Sequence, residues 1–172
     1  MEFNIQRFAR DYQDTLYRGR RRLSGNWGRL YIGGVMIFEI SAFEANVSAE
    51  RDDVIIGQSA DSKITQLKGE GSFTIKQVFT RGFNKLFENW KNGYDERFVF
   101  VGEIKDPDTV EHQRERIRIE NVWVNELPLQ KWAKGEVIEK EISWGFSPED
   151  VYFESAIQLP NQSVVHEVNG GY

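Results

Sequence analysis

Between Val35 and Glu50 the chain reads VMIFEISAFEANVSAE, and its apolar residues change parity halfway. Met36, Phe38 and Ile40 share one parity; Phe43, Ala45 and Val47 share the other. Side chains of a β-strand alternate faces with a period of two, so an apolar face survives such a switch only if an extra residue is inserted. A β-bulge does this, and it also bends the strand. The switch falls at Ser41-Ala42, so the sequence predicts a bulge there and a curved sheet around it. Beyond the bulge, Glu44, Asn46, Ser48 and Glu50 form a wholly polar face. A curved strand with one apolar and one polar face belongs in a sandwich or a barrel wall.

The flanking segments extend this reading. Trp27 to Ile32 reads as a short strand, and Gly33-Gly34 supplies two residues able to take the positive φ that a type I′ hairpin turn requires. Residues 51–69 hold few large apolar groups, with weak strands around Val54–Ile56 and Lys63–Leu67 and a Gly/Ser/Asp-rich tip between them. They predict a long two-stranded excursion that cannot bury its own faces. Gly71 to Phe79 is the next strand, with Phe73 and Ile75 on one side and Ser72, Thr74 and Lys76 on the other. Gly69 and Gly71 read as flexing the entry to that strand. Phe83, Leu86, Phe87 and Trp90 fall at i, i+3, i+4 and i+7, the stripe of an amphipathic helix. Thr80 is placed as its N-cap and Asn92-Gly93 as its stop. Glu96–Lys105, Arg114–Asn125, Gly135–Phe146 and Asp150–Ala156 complete the strands. The expected fold is mainly β: an antiparallel β-sandwich or half-barrel with one flanking α-helix and a long protruding β-hairpin. The expected organisation is a basic N-terminal arm at 1–24, one β domain at 25–157 and a C-terminal extension at 158–172.

Charge sets the arm apart. Residues 1–24 carry six arginines (Arg7, Arg10, Arg18, Arg20, Arg21 and Arg22) against three acids, on a chain whose net charge is −5. Such an arm suits an acidic dock, for instance a neighbouring copy of the chain. The absence of Cys excludes disulfides, thiolate metal sites and Cys nucleophiles. No apolar run approaches the ~18–20 residues of a membrane helix, and the N-terminus has no apolar core of a secretory signal. His112 and His166 are far apart, and no P-loop, GxGxxG, HExxH or GxSxG pattern occurs. No catalytic residue, cofactor or metal site is therefore assigned. Glu136, Glu139 and Glu141 could look like paired carboxylates, but Glu139 and Glu141 alternate with Ile138 and Ile142 and read as a solvated strand face. The stripe Arg114, Arg116 and Arg118 could track phosphates, as in a single-strand nucleic-acid-binding β-barrel, or pair with Glu on a neighbouring strand. A carbohydrate-active sandwich would need two carboxylates at catalytic separation in a cleft.

Beyond these patterns, the order GRLYIGG, FEANVSAERDDVIIGQ and KGEGSFTI, Gly28 through Ile75, resembles the tail-tube proteins of contractile phage tails of the PBSX-like prophage type, which also build phage-tail-like bacteriocins. The likeness covers roughly residues 25–157. It implies a structural subunit, not an enzyme: six copies closing a ring, and rings stacking into a hollow tube for DNA passage or membrane puncture. It implies a sheath protein outside, baseplate or terminator proteins at the ends, and tape measure or DNA in the lumen without specific binding. It places the protein in a virion tail or tail-like particle assembled in the bacterial cytoplasm, and it leaves open a specialised ring at a tube end. On this reading Glu44, Asn46, Ser48, Ser72, Thr74 and Lys76 line the lumen, and the six arm arginines reach a neighbouring subunit.

Overall fold

The structure, a computed structural model, describes residues 22–108 and 113–157. Arg7, Arg10, Arg18, Arg20, Arg21, both histidines and the extension at 158–172 lie outside the described residues. Among the described residues eight strands form one antiparallel sheet: β1 Gly28–Ile32, β2 Val35–Ile37, β3 Ile40–Ile56, β4 Ser59–Lys76, β5 Phe98–Lys105, β6 Arg114–Glu126, β7 Glu139–Phe146 and β8 Val151–Ser155. The order is β2-β1-β5-β6-β7-β4-β3, and β8 pairs with β6. Strand β6 is the fold line, because its first part pairs with β5 and β8 and its last residues pair with β7. The two halves meet through aromatic rings: Phe73 of β4 stands edge-on to Phe100 of β5 at 5.8 Å, and Phe100 to Trp144 of β7 at 5.1 Å. Leu30, Ile37, Ile75, Ile119, Val122, Ile142 and Phe146 complete the core. The sheet does not close, so the expected sandwich or half-barrel is what forms.

The glycine turn is as the sequence predicts. Gly33 has φ +56° and Gly34 φ +82°, and Ile32 pairs with Val35 across them. The return strand is not continuous, however. It breaks at Phe38-Glu39, where the chain leaves β2 in one half of the sheet and enters β3 in the other. The core residue of β2 is Ile37, set opposite Leu30, while Met36 and Phe38 are exposed. The apolar parity read from Met36 and Phe38 is therefore corrected: that segment crosses between half-sheets, and its exposed side carries those two side chains. The bulge itself is where the parity switch puts it. Ile40 pairs with Ile75 and Ala42 with Thr74, leaving Ser41 as the extra residue, its Oγ donating to the Thr74 carbonyl at 3.2 Å.

Past the bulge, β3 and β4 run as one ladder to a two-residue turn at Gly57-Gln58, which places the tip at the start of the expected Gly/Ser/Asp-rich stretch. Gly57 has φ +64°. A second register shift lies between Glu50 and Arg51 and leaves Thr65 unpaired in register, its Oγ1 donating to the Glu50 carbonyl at 3.2 Å. From Ser41 to Leu67 every residue of this hairpin is exposed except in its turn toward the core, which begins at Gly69.

The one α-helix among the described residues, α1 Phe83–Lys91, carries the expected stripe, but only Leu86 is buried; Phe83, Phe87 and Trp90 are half-buried. Its N-cap is Gly82 in the left-handed region, with no side-chain cap, so Thr80 does not cap it; Thr80 instead offers its carbonyl to the Phe83 N–H. The helix stops at Asn92, followed by Gly93 at φ +79°.

Candidate assembly surfaces

The sheet's second half has two unlike faces, and β-sheet alternation produces both. On the inner face, Phe43 stacks on Trp144 with ring centres 5.7 Å apart and planes 14° apart, and Trp144 packs against Phe146 at 5.3 Å. These rings explain the glycines around Glu70. A Cβ at Gly71 would lie 2.4 Å from the Trp144 ring and 2.3 Å from the Glu44 carbonyl; one at Gly69 would lie 2.6 Å from Phe146. The two glycines are therefore places where aromatic rings lie against bare backbone, and not flexible entries to a strand.

The outer face brings the predicted polar residues together. Glu44 pairs in register with Ser72, Asn46 with Glu70, and Ser48 with Lys68. On the other side of β4, Ser72 pairs with Ser143, Thr74 with Glu141 and Lys76 with Glu139. Asn46 Nδ2 donates to Glu44 Oε1 at 2.6 Å, and Lys68 forms an exposed ion pair with Glu70 at 3.2 Å. All six residues assigned from the sequence, Glu44, Asn46, Ser48, Ser72, Thr74 and Lys76, thus share one face. Sequence reasoning missed Glu70, Lys68 and Ser143 as members of it, and read Glu139 and Glu141 only as solvated. Period-two alternation carried back along β4 from Ser72 would have found Glu70 and Lys68; Ser143, Glu139 and Glu141 need the register of β4 against β7, which alternation alone does not supply.

The arginine stripe on β6 has carboxylate partners. Arg116 NH1 donates to Glu103 Oε2 at 2.8 Å and its Nε to Glu154, while Arg114 pairs with Glu103 at 3.3 Å and Arg118 with Glu120. The hydrogen bond to Glu154 raises the Arg116 pKa against the opposing effect of burial, with Glu103 adding to it. Glu103 of β5, Glu154 of β8 and Glu120 of β6 itself thus partner the three guanidiniums, the second of the two roles the sequence left open for this stripe.

The crossing at Phe38-Glu39 is held by an ion pair between the buried Glu39 and the half-buried Arg81. Arg81, at φ +51°, donates from Nε and NH2 to the two oxygens of Glu39 at 3.0 and 2.6 Å. The guanidinium also lies 4.7 Å from the centre of the Phe38 ring and 5.7 Å from that of Phe79. Burial works to raise the Glu39 pKa, but the Arg81 hydrogen bonds and charge and its own backbone N–H outweigh it and hold it below its ordinary value of 4.5. Among the described residues no three His, Cys, Asp or Glu side chains are grouped to hold a metal ion, and no helix is long and apolar enough to cross a membrane.

The comparisons with known proteins bear on the family and the fold. A family profile described as Phage tail tube protein matches residues 15–152. Two proteins of Bacillus subtilis (strain 168), the Phage-like element PBSX protein XkdM and the uncharacterized protein YqbM, are each 26% identical to this chain over 137 residues, spanning 78% of it and 92% of their own lengths. Among solved structures, a chain of the sheath-tube complex of PVC, an extracellular contractile injection system, in its extended state superposes with a TM-score of 0.59 at 11% identity, covering 84% of this chain and 98% of its own. A chain of the anti-feeding prophage cap (AFP tube terminating cap) does so with 0.59 at 10% identity, covering 78% and 92%. At these identities the structural likeness is one of fold.

Proposed function

The chain belongs to the phage tail tube protein family, and from that premise we propose that six copies close into a ring, that rings stack into a hollow tube, and that the tube conducts DNA or punctures a membrane. The chain is a structural component of a virion tail or tail-like particle, not an enzyme. The observation that supports the finer reading is the polar strip across β3, β4 and β7, backed on its other face by the aromatic core. A channel wall needs such a sheet: one face packed, the other wet and without a basic excess that would hold a polyanion. Glu44, Asn46, Ser48, Ser72 and Thr74 face the channel in this proposal, and Lys76 is offset by Glu139 opposite it.

Ring closure needs two different surfaces on each copy, since a head-to-tail contact that closes makes a ring. The sheet ends in two unlike strands, the 17-residue β3 and the three-residue β2, each with one unpaired edge in the sheet order. The hairpin beyond Glu50 exposes Val54, Ile55, Ile56, Ile64 and Leu67, apolar surface that a neighbouring copy would cover. The outer part of the arginine arm, with Arg7 and Arg10, extends toward a neighbouring subunit in this proposal. A sheath encloses the tube, baseplate or terminator proteins hold its ends, and tape measure or DNA occupies the lumen without specific binding. Electron microscopy of the concentrated full-length protein tests this. Rings with a central hole, or tubes of constant width, are expected; stacking that stops after one or two rings would mark a specialised end ring. Globular monomers at every concentration would contradict the proposal.

A further inference from the structure

On the inner side of the sheet, a groove of about 460 Å³ opens between the start of β3 and strands β1, β5 and β6. Ile40, Phe43, Ala45, Ile104 and Ile117 give it an apolar floor; of its charged lining residues, Glu103 is paired with Arg114 and Arg116, Arg29 sits opposite Glu103 in register, out of parity with Gly28 and Leu30, and Glu115 stands at its side in register with Ile104. Phe43 leans into it because Gly102 has no side chain: a Cβ there would lie 2.9 Å from the Phe43 ring. Although stacked on Trp144, Phe43 keeps about a third of its surface exposed to the groove side. Glu115 is half-buried and has no hydrogen bond or ion pair among the described residues. A half-buried carboxylate beside apolar surface is costly unless a cation meets it. The groove therefore asks for a ligand that is apolar with a positive charge next to it.

The chain brings such a segment to this place. Gly25 and Gly28 line the groove, so residues 15–21 join the described chain at its edge. Ser24 is fixed there, its N–H donating to Asp106 Oδ2 at 3.0 Å. Residues 15–21 read TLYRGRR: two apolar side chains, Leu16 and Tyr17, followed by Arg18, Arg20 and Arg21. The family match also starts at residue 15, which makes this stretch part of the domain as the family has it and sets it apart from residues 1–14. From these observations we infer that the segment Thr15–Arg21 seats in this groove of its own chain, Leu16 and Tyr17 on the apolar floor and an arginine beside Glu115. Residues 1–14 are left to reach outward. The groove has room for a few side chains and not for the whole arm.

Cysteine pairing tests the seat, because the chain has no Cys of its own. The full-length chain carrying Leu16→Cys and Ala45→Cys is oxidised in dilute solution, where no rings form. The intramolecular bond is expected to form at least about a hundred times faster than the bond between two chains each carrying one of these substitutions, since tethering supplies an effective concentration in the millimolar range. Leu16→Cys with Ser48→Cys, on the opposite face, and Ile5→Cys with Ala45→Cys are expected to close much more slowly. Glu115→Gln is expected to slow the Leu16–Ala45 closure at low salt and to leave it unchanged at high salt. Closure no faster for Ala45 than for Ser48, or bonding mainly between chains, would overturn the inference. The readout is made on monomers, so it stands or falls separately from ring formation.

Discussion

The hairpin β3-β4 is one ladder with two unlike halves. Near the sheet, Gly69 to Lys76 of β4 is paired on its other side to β7, and its inner face meets the Trp144 and Phe146 rings and buries Phe73 and Ile75. Past the register shift at Glu50, residues 51–64 pair only with each other and are exposed throughout. The β3-β4 ladder runs through both halves, but only the root is paired on to a third strand and only the root carries buried side chains. Apolar burial stabilises by roughly 25 cal/mol per Å² and is what offsets chain ordering; the outer half has almost none of it within the subunit. A hairpin built this way is stable at its root and depends on a neighbour at its tip.

Four perturbations sharpen or break that comparison. The largest effect belongs to the root: Trp144→Ala removes a fully buried ring that three other aromatics touch, and should cost about 3–5 kcal/mol in denaturant unfolding. A cost below about 1 kcal/mol would mean the root is not anchored by this cluster. Next comes Glu39→Ala, which leaves Arg81 half-enclosed without its partner at the crossing that starts β3; about 2–3 kcal/mol is expected, below the figure for a fully buried pair because Arg81 reaches solvent. The same pair sets a pH dependence. The Glu39 pKa is lowered on folding, so its contribution is fully present above the ordinary carboxylate value of 4.5 and is lost as pH falls below that value through the folded one. Thermal melts of wild type and Glu39→Gln should converge in that acid range; a gap that stays constant down to pH 2–3 would show the ion pair is not the cause.

Trp90→Ala is smaller, about 1–2 kcal/mol, because Trp90 is only half-buried on α1. The smallest effect lies at the tip. Ile55→Ser should change subunit stability by less than about 0.5 kcal/mol, as expected for an exposed position, and should weaken assembly instead. Hydrogen exchange completes the contrast: amides of residues 51–64 should exchange fast in the free subunit and slow by at least about tenfold in the assembly, whereas those of residues 69–76 should be slow in both. Equal protection of the tip in both states would break the comparison.

The parts of the fold legible in the sequence were those set by local rules. Gly33-Gly34 states its turn, the parity switch states the bulge at Ser41, and alternation alone sorted Glu44, Asn46 and Ser48 from Phe43, Ala45 and Val47. What could not be read depends on partners distant in the chain. The break at Phe38-Glu39 rests on Arg81, 42 positions on, without which a buried Glu39 has no local rationale. Gly69 and Gly71 looked like strand flexors because the rings that demand them come from β7. The polar face was seen as three residues from each of two strands; Glu70 and Lys68 continue the same alternation along β4, and Ser143, Glu139 and Glu141 followed only from the register with β7. Thr80 matched the capping pattern, yet the turn at Arg81-Gly82 starts the helix two residues later.

The assignment of that polar face to a channel is the central claim, and a cryo-electron reconstruction of the assembled protein tests it most directly. The account predicts a ring with a central opening whose wall carries Glu44, Asn46 and Ser72, with Phe43 and Trp144 enclosed behind them. A ring with Glu44 and Ser72 on its outer circumference, or sealed between subunits, would contradict it.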